Sequence, residues 1–369
     1  MASLLDLARH GQSVWLDFID RNLVVNGGLQ RLVDSGVTGV TTNPTIFHKA
    51  ISGSRDYDEA IRELLEQTHN IDESELCEAL MVSDVQMAAD VLRSVYDRTQ
   101  GRDGYVSIEV APDLAYSIER TVASAHRLWT AVARPNVMIK VPGTAEGVRA
   151  FERLTAEGLN VNVTLLFSVT RYEEVVRAWA RGLSRNAHPE NIASVASFFV
   201  SRVETKVDKK LDALGTPEAA KLRGHIAVAN AKVAYQRFQE LLKEPQIAEQ
   251  LKRGARPQRP LWASTGTKDP SYSDVLYVES LIGPDTVNTL PPETLDAFLY
   301  HGQARYSLEA DADVARRDLD ALKAAGVDLD AITRELESEG VASFIDSWNK
   351  LLATLKEKRF AVAKDFAGQ

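Results

Sequence analysis

The chain has 369 residues, 44% hydrophobic and 26% charged, a balance ordinary for a soluble globular protein. Its net charge of −9 argues against a nucleic-acid or membrane-surface role for the chain as a whole, and a small anionic substrate would need a local basic pocket. No apolar run approaches the ~18 residues of a membrane span, MASLLDLARHGQ at the N-terminus lacks a signal-peptide layout, and the one cysteine, Cys77, leaves no internal disulfide, so a cytoplasmic enzyme or binding protein is the expectation.

Eight strand-like runs recur along the chain. The first, SVWLDFI (13–19), is apolar except for Asp17, and the second, GVTTN (39–43), ends on Asn43. Residues 45–103 have room for two or three helices; Cys77 lies there in SELCEAL, where a small packing residue is a simpler reading than a reactive thiol. The third run, YVSIEV (105–110), carries Glu109. In the following APDLAYSIERTVASAHRLWTAV, Pro112 suits a first helical position and Leu114, Ile118, Val122, Ala125 and Trp129 recur at helical spacing. The fourth run, VMIKV (137–141), sets Lys140 among apolar residues and closes on Pro142 and Gly143. A helix TAEGVRAFERLTAEG follows, which Thr144 can cap and Gly158 can stop.

In the fifth run, NVNVTLLF (160–167), Asn162 and Thr164 share one face by period two. Ser197 breaks the sixth, ASVASFFV (193–200), and SRVE (201–204) then reads as a capping box that places Arg202 in the first turn of a helix. TPEAAKLRGHIAVANAKVAYQRFQELLKE shows a Thr-Pro start and a long periodic run. Ser264 breaks the seventh run, PLWAST (260–265); in the overlapping STGTKDP, Gly266 permits a tight turn and Lys268 adds charge. The eighth is DTVNTL (285–290). Beyond it, Phe344, Trp348, Leu351 and Leu355 form one helical stripe, compatible with a helix on the outside of the fold or with a lid.

Strands alternating with helices imply a parallel sheet. Eight units favour a closed (β/α)8 TIM barrel over an open doubly wound sheet, and no G-x-G-x-x-G follows the first strand. Residues 1–369 read as a single elaborated barrel domain, with a core at about 13–302 and a helical extension at 303–369. The seven histidines, at 10, 48, 69, 126, 188, 225 and 301, form no pair or cluster of zinc-ligand spacing; spacing alone does not exclude a carboxylate magnesium site.

In such a barrel the C-terminal ends of the strands face the active site. Asp17, Asn43, Glu109, Lys140, Asn162, Thr164, Ser197 and Ser264 would converge there. Each alone is compatible with a structural role, and Arg202 and Lys268 with solvated surface charge. Burying so many polar groups for structure alone would cost stability repeatedly. A lysine wrapped in apolar residues must find a partner, reach water or lose its proton, and a free amine can form a Schiff base with a ketone. Proton transfer at the carbinolamine and at a departing hydroxyl calls for carboxylates, and Glu109 and Asp17 are available. A helix start at Arg202 and the Gly266–Lys268 loop suit a phosphate.

The stretches VTTNPTIF, VSIEVAPDLA, IKVPGTAEGVRAFERLTAEGLNVNVTLLFS and ASFFVSRV resemble the transaldolase family over most of residues 13–300, and the ASTGTK loop and extended chain resemble its longer bacterial branch. The resemblance implies Schiff-base transfer of a dihydroxyacetone unit from sedoheptulose 7-phosphate or fructose 6-phosphate to erythrose 4-phosphate or glyceraldehyde 3-phosphate. This is a step of the non-oxidative pentose phosphate pathway and needs no cofactor or metal. It implies Lys140 as the imine lysine, Glu109 as the acid/base working through a water that Thr164 helps to hold, and Asp17 as the base in cleavage. It further implies Asn43 and Asn162 on the intermediate's hydroxyls, and Ser197 and Arg202 on phosphate. Many shorter members have an arginine soon after strand seven, where this chain offers Lys268. The alternatives are a fructose-6-phosphate aldolase-like enzyme that releases dihydroxyacetone, a phosphosugar isomerase, or a non-catalytic sugar-phosphate-binding barrel. No nucleic-acid or membrane partner is expected, and the sequence leaves the oligomeric state open.

Overall fold

A computed structural model describes residues 3–68 and 70–367, so His69 among the scattered histidines lies outside the described residues. Eight strands close into one parallel barrel in chain order. They are β1 Gln12–Leu16, β2 Gly39–Val40, β3 Tyr105–Glu109, β4 Val137–Pro142, β5 Val161–Leu166, β6 Ser194–Phe199, β7 Arg259–Ala263 and β8 Thr286–Leu290. All eight expected runs are present, and β1 closes the ring against β8 from Gln12↔Thr286 to Leu16↔Leu290. Some polar residues expected inside strands lie just beyond their ends: Asp17 follows β1, Asn43 follows β2 and Ser264 follows β7.

Side chains alternate along each strand. On β4 this turns Lys140 inward and Ile139 and Val141 to the opposite, helix-covered face, and all three are buried. The expected helices between β2 and β3 are Pro44–Ser52, Asp58–Gln67 and Glu73–Arg98. Thr144 caps the helix Ala145–Ala156, its Oγ1 accepting the Gly147 N–H at 3.0 Å, and the chain leaves that helix through Gly158 at φ +93°.

Three local readings give way to tertiary structure. Pro112 opens a 3₁₀ turn, Pro112–Leu114, and the α-helix begins at Ile118. The Thr-Pro start yields only Pro217–Ala220; the long run resumes as Ile226–Leu241 after Gly224, whose φ is +75°. The capping box at 201–204 does not form. Ser201 is the first helical residue of Ser201–Leu214, Val200 precedes it without a side-chain cap, and the Ser201 hydroxyl pairs with Ser264 Oγ at 2.7 Å. Glu204 instead accepts the N–H groups of Ile226 and Ala227 at 3.2 and 3.3 Å, and burial pushes its carboxyl up to about 8.

At the N-terminal face of the barrel, Asp103 accepts from Trp15 Nε1 at 2.8 Å and meets Arg259 Nη2 at 3.2 Å. Arg259 also donates to Ser13 Oγ and to the Arg102 carbonyl, so both charges are buried and satisfied. Removing one partner strands the other charge, so Asp103→Ala is expected to cost roughly 3–5 kcal/mol. Chemical denaturation measures this, and a site at the opposite, C-terminal face of the barrel should be spared under conditions where the variant is folded.

The C-terminal helix Leu329–Ala367 packs on the helices Pro44–Ser52, Glu73–Arg98 and Ser201–Leu214. The stripe of Phe344, Trp348, Leu351 and Leu355 is buried throughout. The helix packs outside the barrel, and its Phe344 also reaches the mouth. No helix among the described residues is long and apolar enough to cross a membrane.

Candidate active site

A cavity of about 380 Å³ opens at the C-terminal ends of the strands. Asp17, Asn43, Lys140, Ser197, Arg202, Ser264 and Lys268 all line it. Glu109, Asn162 and Thr164 do not; they are buried in the neighbouring strands, in register with β4.

Lys140 Nζ donates to the Thr42 carbonyl at 3.0 Å and lies 3.4 Å from Glu109 Oε2. The lysine is therefore not wrapped in hydrocarbon as its sequence neighbours suggested. Those neighbours occupy the outer face, and the amine meets polar groups on the inner one.

Burial pushes the Glu109 carboxyl up to about 7; Lys140 opposes this and Asp17 reinforces it. Apart from the ion pair with Lys140, Glu109 Oε2 has no hydrogen-bond partner among the described residues, nor has the buried Thr164 Oγ1, so each has capacity left for a proton-carrying partner. The carboxyl of Asp17 is also raised by burial, against the pull of Lys140 and a 2.7 Å hydrogen bond from Thr41 Oγ1. Two carboxyls that hold protons more tightly than usual thus attend one amine.

Ser197 Oγ donates to Asn162 Oδ1 at 2.7 Å, and Asn162 Nδ2 donates to Ser107 Oγ at 3.1 Å. This chain fixes the Asn162 amide and ties Ser197 to it. Asn43 caps the helix Pro44–Ser52 by accepting the Ile46 N–H at 3.0 Å. Arg202 stands in the first turn of its helix as expected. Its guanidinium makes no hydrogen bond or ion pair among the described residues; it lies 5.4 Å from the Phe199 ring centre and 5.7 Å from that of Phe344. Ser264 adopts a left-handed φ of +56°, a strained conformation for a serine, with its hydroxyl bonded beside Arg202 to Ser201.

Sequence reasoning missed Thr41, Lys49, Glu293 and the aromatic pair Phe199 and Phe344, all of which line the cavity. Thr41 sits two residues before Asn43 in VTTN, a signal that was present. Lys49 and Glu293 lie on the helices Pro44–Ser52 and Pro292–His301, where no local signal marked them. Phe344 was visible only as a core-stripe residue.

Fold and cavity together define a (β/α)8 barrel with a buried lysine–carboxylate centre at its mouth. The chain belongs to the transaldolase/fructose-6-phosphate aldolase family, whose model matches residues 14–355. It is 47% identical to the transaldolase of Frankia alni, over 96% of this chain and 97% of that one. It is 48% identical to the transaldolase of Acidothermus cellulolyticus, over 95% of each chain. The transaldolase of Mycobacterium leprae is 44% identical over 98% of each. The family resemblance drawn from the sequence motifs is borne out.

Proposed function

We propose that this chain is a cytoplasmic transaldolase, working as one elaborated barrel, in which Lys140 carries a dihydroxyacetone unit between sugar phosphates. Sedoheptulose 7-phosphate and glyceraldehyde 3-phosphate give erythrose 4-phosphate and fructose 6-phosphate. The observation that carries the reading is the Lys140 amine held 3.4 Å from a carboxyl raised to about 7, at the wall of a cavity that also presents an unpaired arginine.

The Lys140 nitrogen attacks the C2 carbonyl of the donor, and its electrons move to oxygen. One proton from the attacking nitrogen and one from Glu109 reach this oxygen, which leaves as water and gives the iminium. Asp17 takes the proton of the C4 hydroxyl; the C3–C4 bond breaks, its electron pair flows into the iminium, and the aldose phosphate departs. The same steps in reverse join the enamine to the acceptor. Asn43 and Asn162 hold the hydroxyls of the bound unit, with Ser197 fixing Asn162. Arg202, Ser264 and Lys268 take the phosphate.

Borohydride added with fructose 6-phosphate should leave a reduced three-carbon adduct on Lys140, located by peptide mass spectrometry; an unlabelled, fully active protein would overturn the imine reading. With erythrose 4-phosphate present, transfer should far exceed release of free dihydroxyacetone, and the opposite ratio would favour an aldolase. Arg202→Ala should raise KM for fructose 6-phosphate roughly 10–100-fold, as expected for loss of a charge-assisted hydrogen bond. Borohydride trapping of unphosphorylated dihydroxyacetone should change far less, and equal effects on the two would remove Arg202 from the phosphate site.

A further inference from the structure

The phosphate anchor has an unusual setting. An arginine side chain is rich in rotamers, and a fixed position must overcome the entropy of that freedom. Among the described residues nothing hydrogen-bonds or ion-pairs with the Arg202 guanidinium, so no such bond fixes it before a substrate arrives. Its close attractive neighbours are the rings of Phe199, at the end of β6, and Phe344, on the C-terminal helix. We propose that Phe344 is a positioning residue for phosphate recognition: with Phe199 it holds the Arg202 guanidinium at the cavity wall, so that the C-terminal helix completes the substrate site.

Three further observations support this. First, a glycine one turn before Phe344 lets the helix press closely on Leu165, with Arg202 in van der Waals range beside it. A Cβ on Gly340 would lie 3.0 Å from Leu165 Cδ2 and 3.6 Å from Arg202 Nη1. Leu165 itself adopts a left-handed φ of +60° at an irregularity in the β5–β6 pairing. Second, the helix is pinned to the elements that carry the site. Lys206, one turn after Arg202, bridges to Glu335 at 2.9 Å and Glu339 at 2.5 Å. Thr45, two residues after Asn43, bonds Ser347 at 2.8 Å. Third, the Phe344 ring centre also lies 6.0 Å from Lys140 Nζ. One rigid side chain therefore stands against the cation that receives the phosphate and within sight of the amine that reacts, while that amine is held by Thr42 and Glu109.

The proposal rests on the reading of Arg202 as the phosphate anchor, and its test separates the two. Phe344→Leu and Phe344→Met remove the aromatic face while keeping apolar bulk; each should raise KM for fructose 6-phosphate about tenfold, the scale of one desolvated cation–π contact. The turnover number and the borohydride trapping of dihydroxyacetone should change much less, and Phe344→Tyr, which keeps the ring, should restore KM. In an Arg202→Ala background, Phe344→Leu should raise KM no further. Thermal unfolding identifies variants that remain folded, and Phe344→Met serves where Phe344→Leu does not. A wild-type KM in a folded non-aromatic variant overturns the proposal, as does a KM increase that persists without Arg202. Arg202→Ala with a wild-type KM would instead defeat the phosphate reading itself, and this proposal with it.

Discussion

Lys140→Met is expected to abolish both the borohydride adduct and the transfer reaction, lowering turnover by at least ~10⁴-fold, because no other amine lining the cavity has a carboxyl placed to manage the proton transfers of imine formation. Lys49 and Lys268 line the same cavity, so the prediction is a real choice among three amines. Only Lys140 is both buried and within 3.4 Å of a carboxyl able to manage the proton transfers that imine formation needs. Methionine fills the space without a charge, so the fold should survive. The loss also removes the cation that opposes the upward shift of the Glu109 carboxyl, which should therefore rise further above 7. A sharper version uses Lys140→Cys alkylated with 2-bromoethylamine, which rebuilds an amine one sulfur away from lysine. Cys77 is buried, and burial pushes its thiol above the ordinary range, so it should not compete in the folded protein. Activity returning with alkylation supports the amine as nucleophile; a Lys140→Met protein that still transfers the three-carbon unit would end the assignment.

Glu109→Gln slows imine formation by roughly 10²–10⁴-fold, the usual contribution of a positioned acid/base. Single-turnover trapping with fructose 6-phosphate measures it. The glutamine retains shape and hydrogen-bonding capacity but can neither give nor take the proton. The same substitution carries an opposite signature in stability. Glu109 titrates at about 7 in the folded protein against an ordinary value of 4.5, so between these pH values the folded state holds more protons than the unfolded one. Stability from this group is therefore full below about pH 4.5 and is lost as pH rises through about 7. Glutamine, uncharged at every pH, escapes that loss. Glu109→Gln should match the wild type near pH 5 and unfold at a higher temperature near pH 8. Parallel stability–pH curves for the two proteins would show that burial of this carboxylate does not destabilise the fold. A group proposed for catalysis and held at the cost of stability would be a common compromise at active sites.

Much of the barrel was legible because its signals are local. Each strand announces itself as a short apolar run between turn residues, and each following helix by its spacing, so the alternation of eight units could be counted. The departures come where a local pattern competes with a buried partner. SRVE has the right residues for a capping box, yet Ser201 bonds Ser264 on another strand end and Glu204 serves the start of a different helix. Side-chain oxygens follow the donors that burial leaves unsatisfied, and those donors come from remote segments. The expectation of a hydrocarbon sheath around Lys140 failed for a related reason. Residues adjacent in a strand lie on opposite faces, so the chain neighbours of an inward residue are not its surroundings.

The sequence by itself determined the family, the count of strand–helix units, and the identity of the lysine and carboxylates at the strand ends, because periodicity and motif are properties of contiguous residues. Tertiary structure alone decided that Glu109 approaches Lys140 to 3.4 Å, that Ser197 is tied to Asn162, that Arg202 has no ion partner among the described residues, and that Phe344 enters the mouth from the C-terminal helix. These contacts depend on barrel register and on where a distant helix is anchored, and both are set by closure of the whole ring of strands rather than by any one of them.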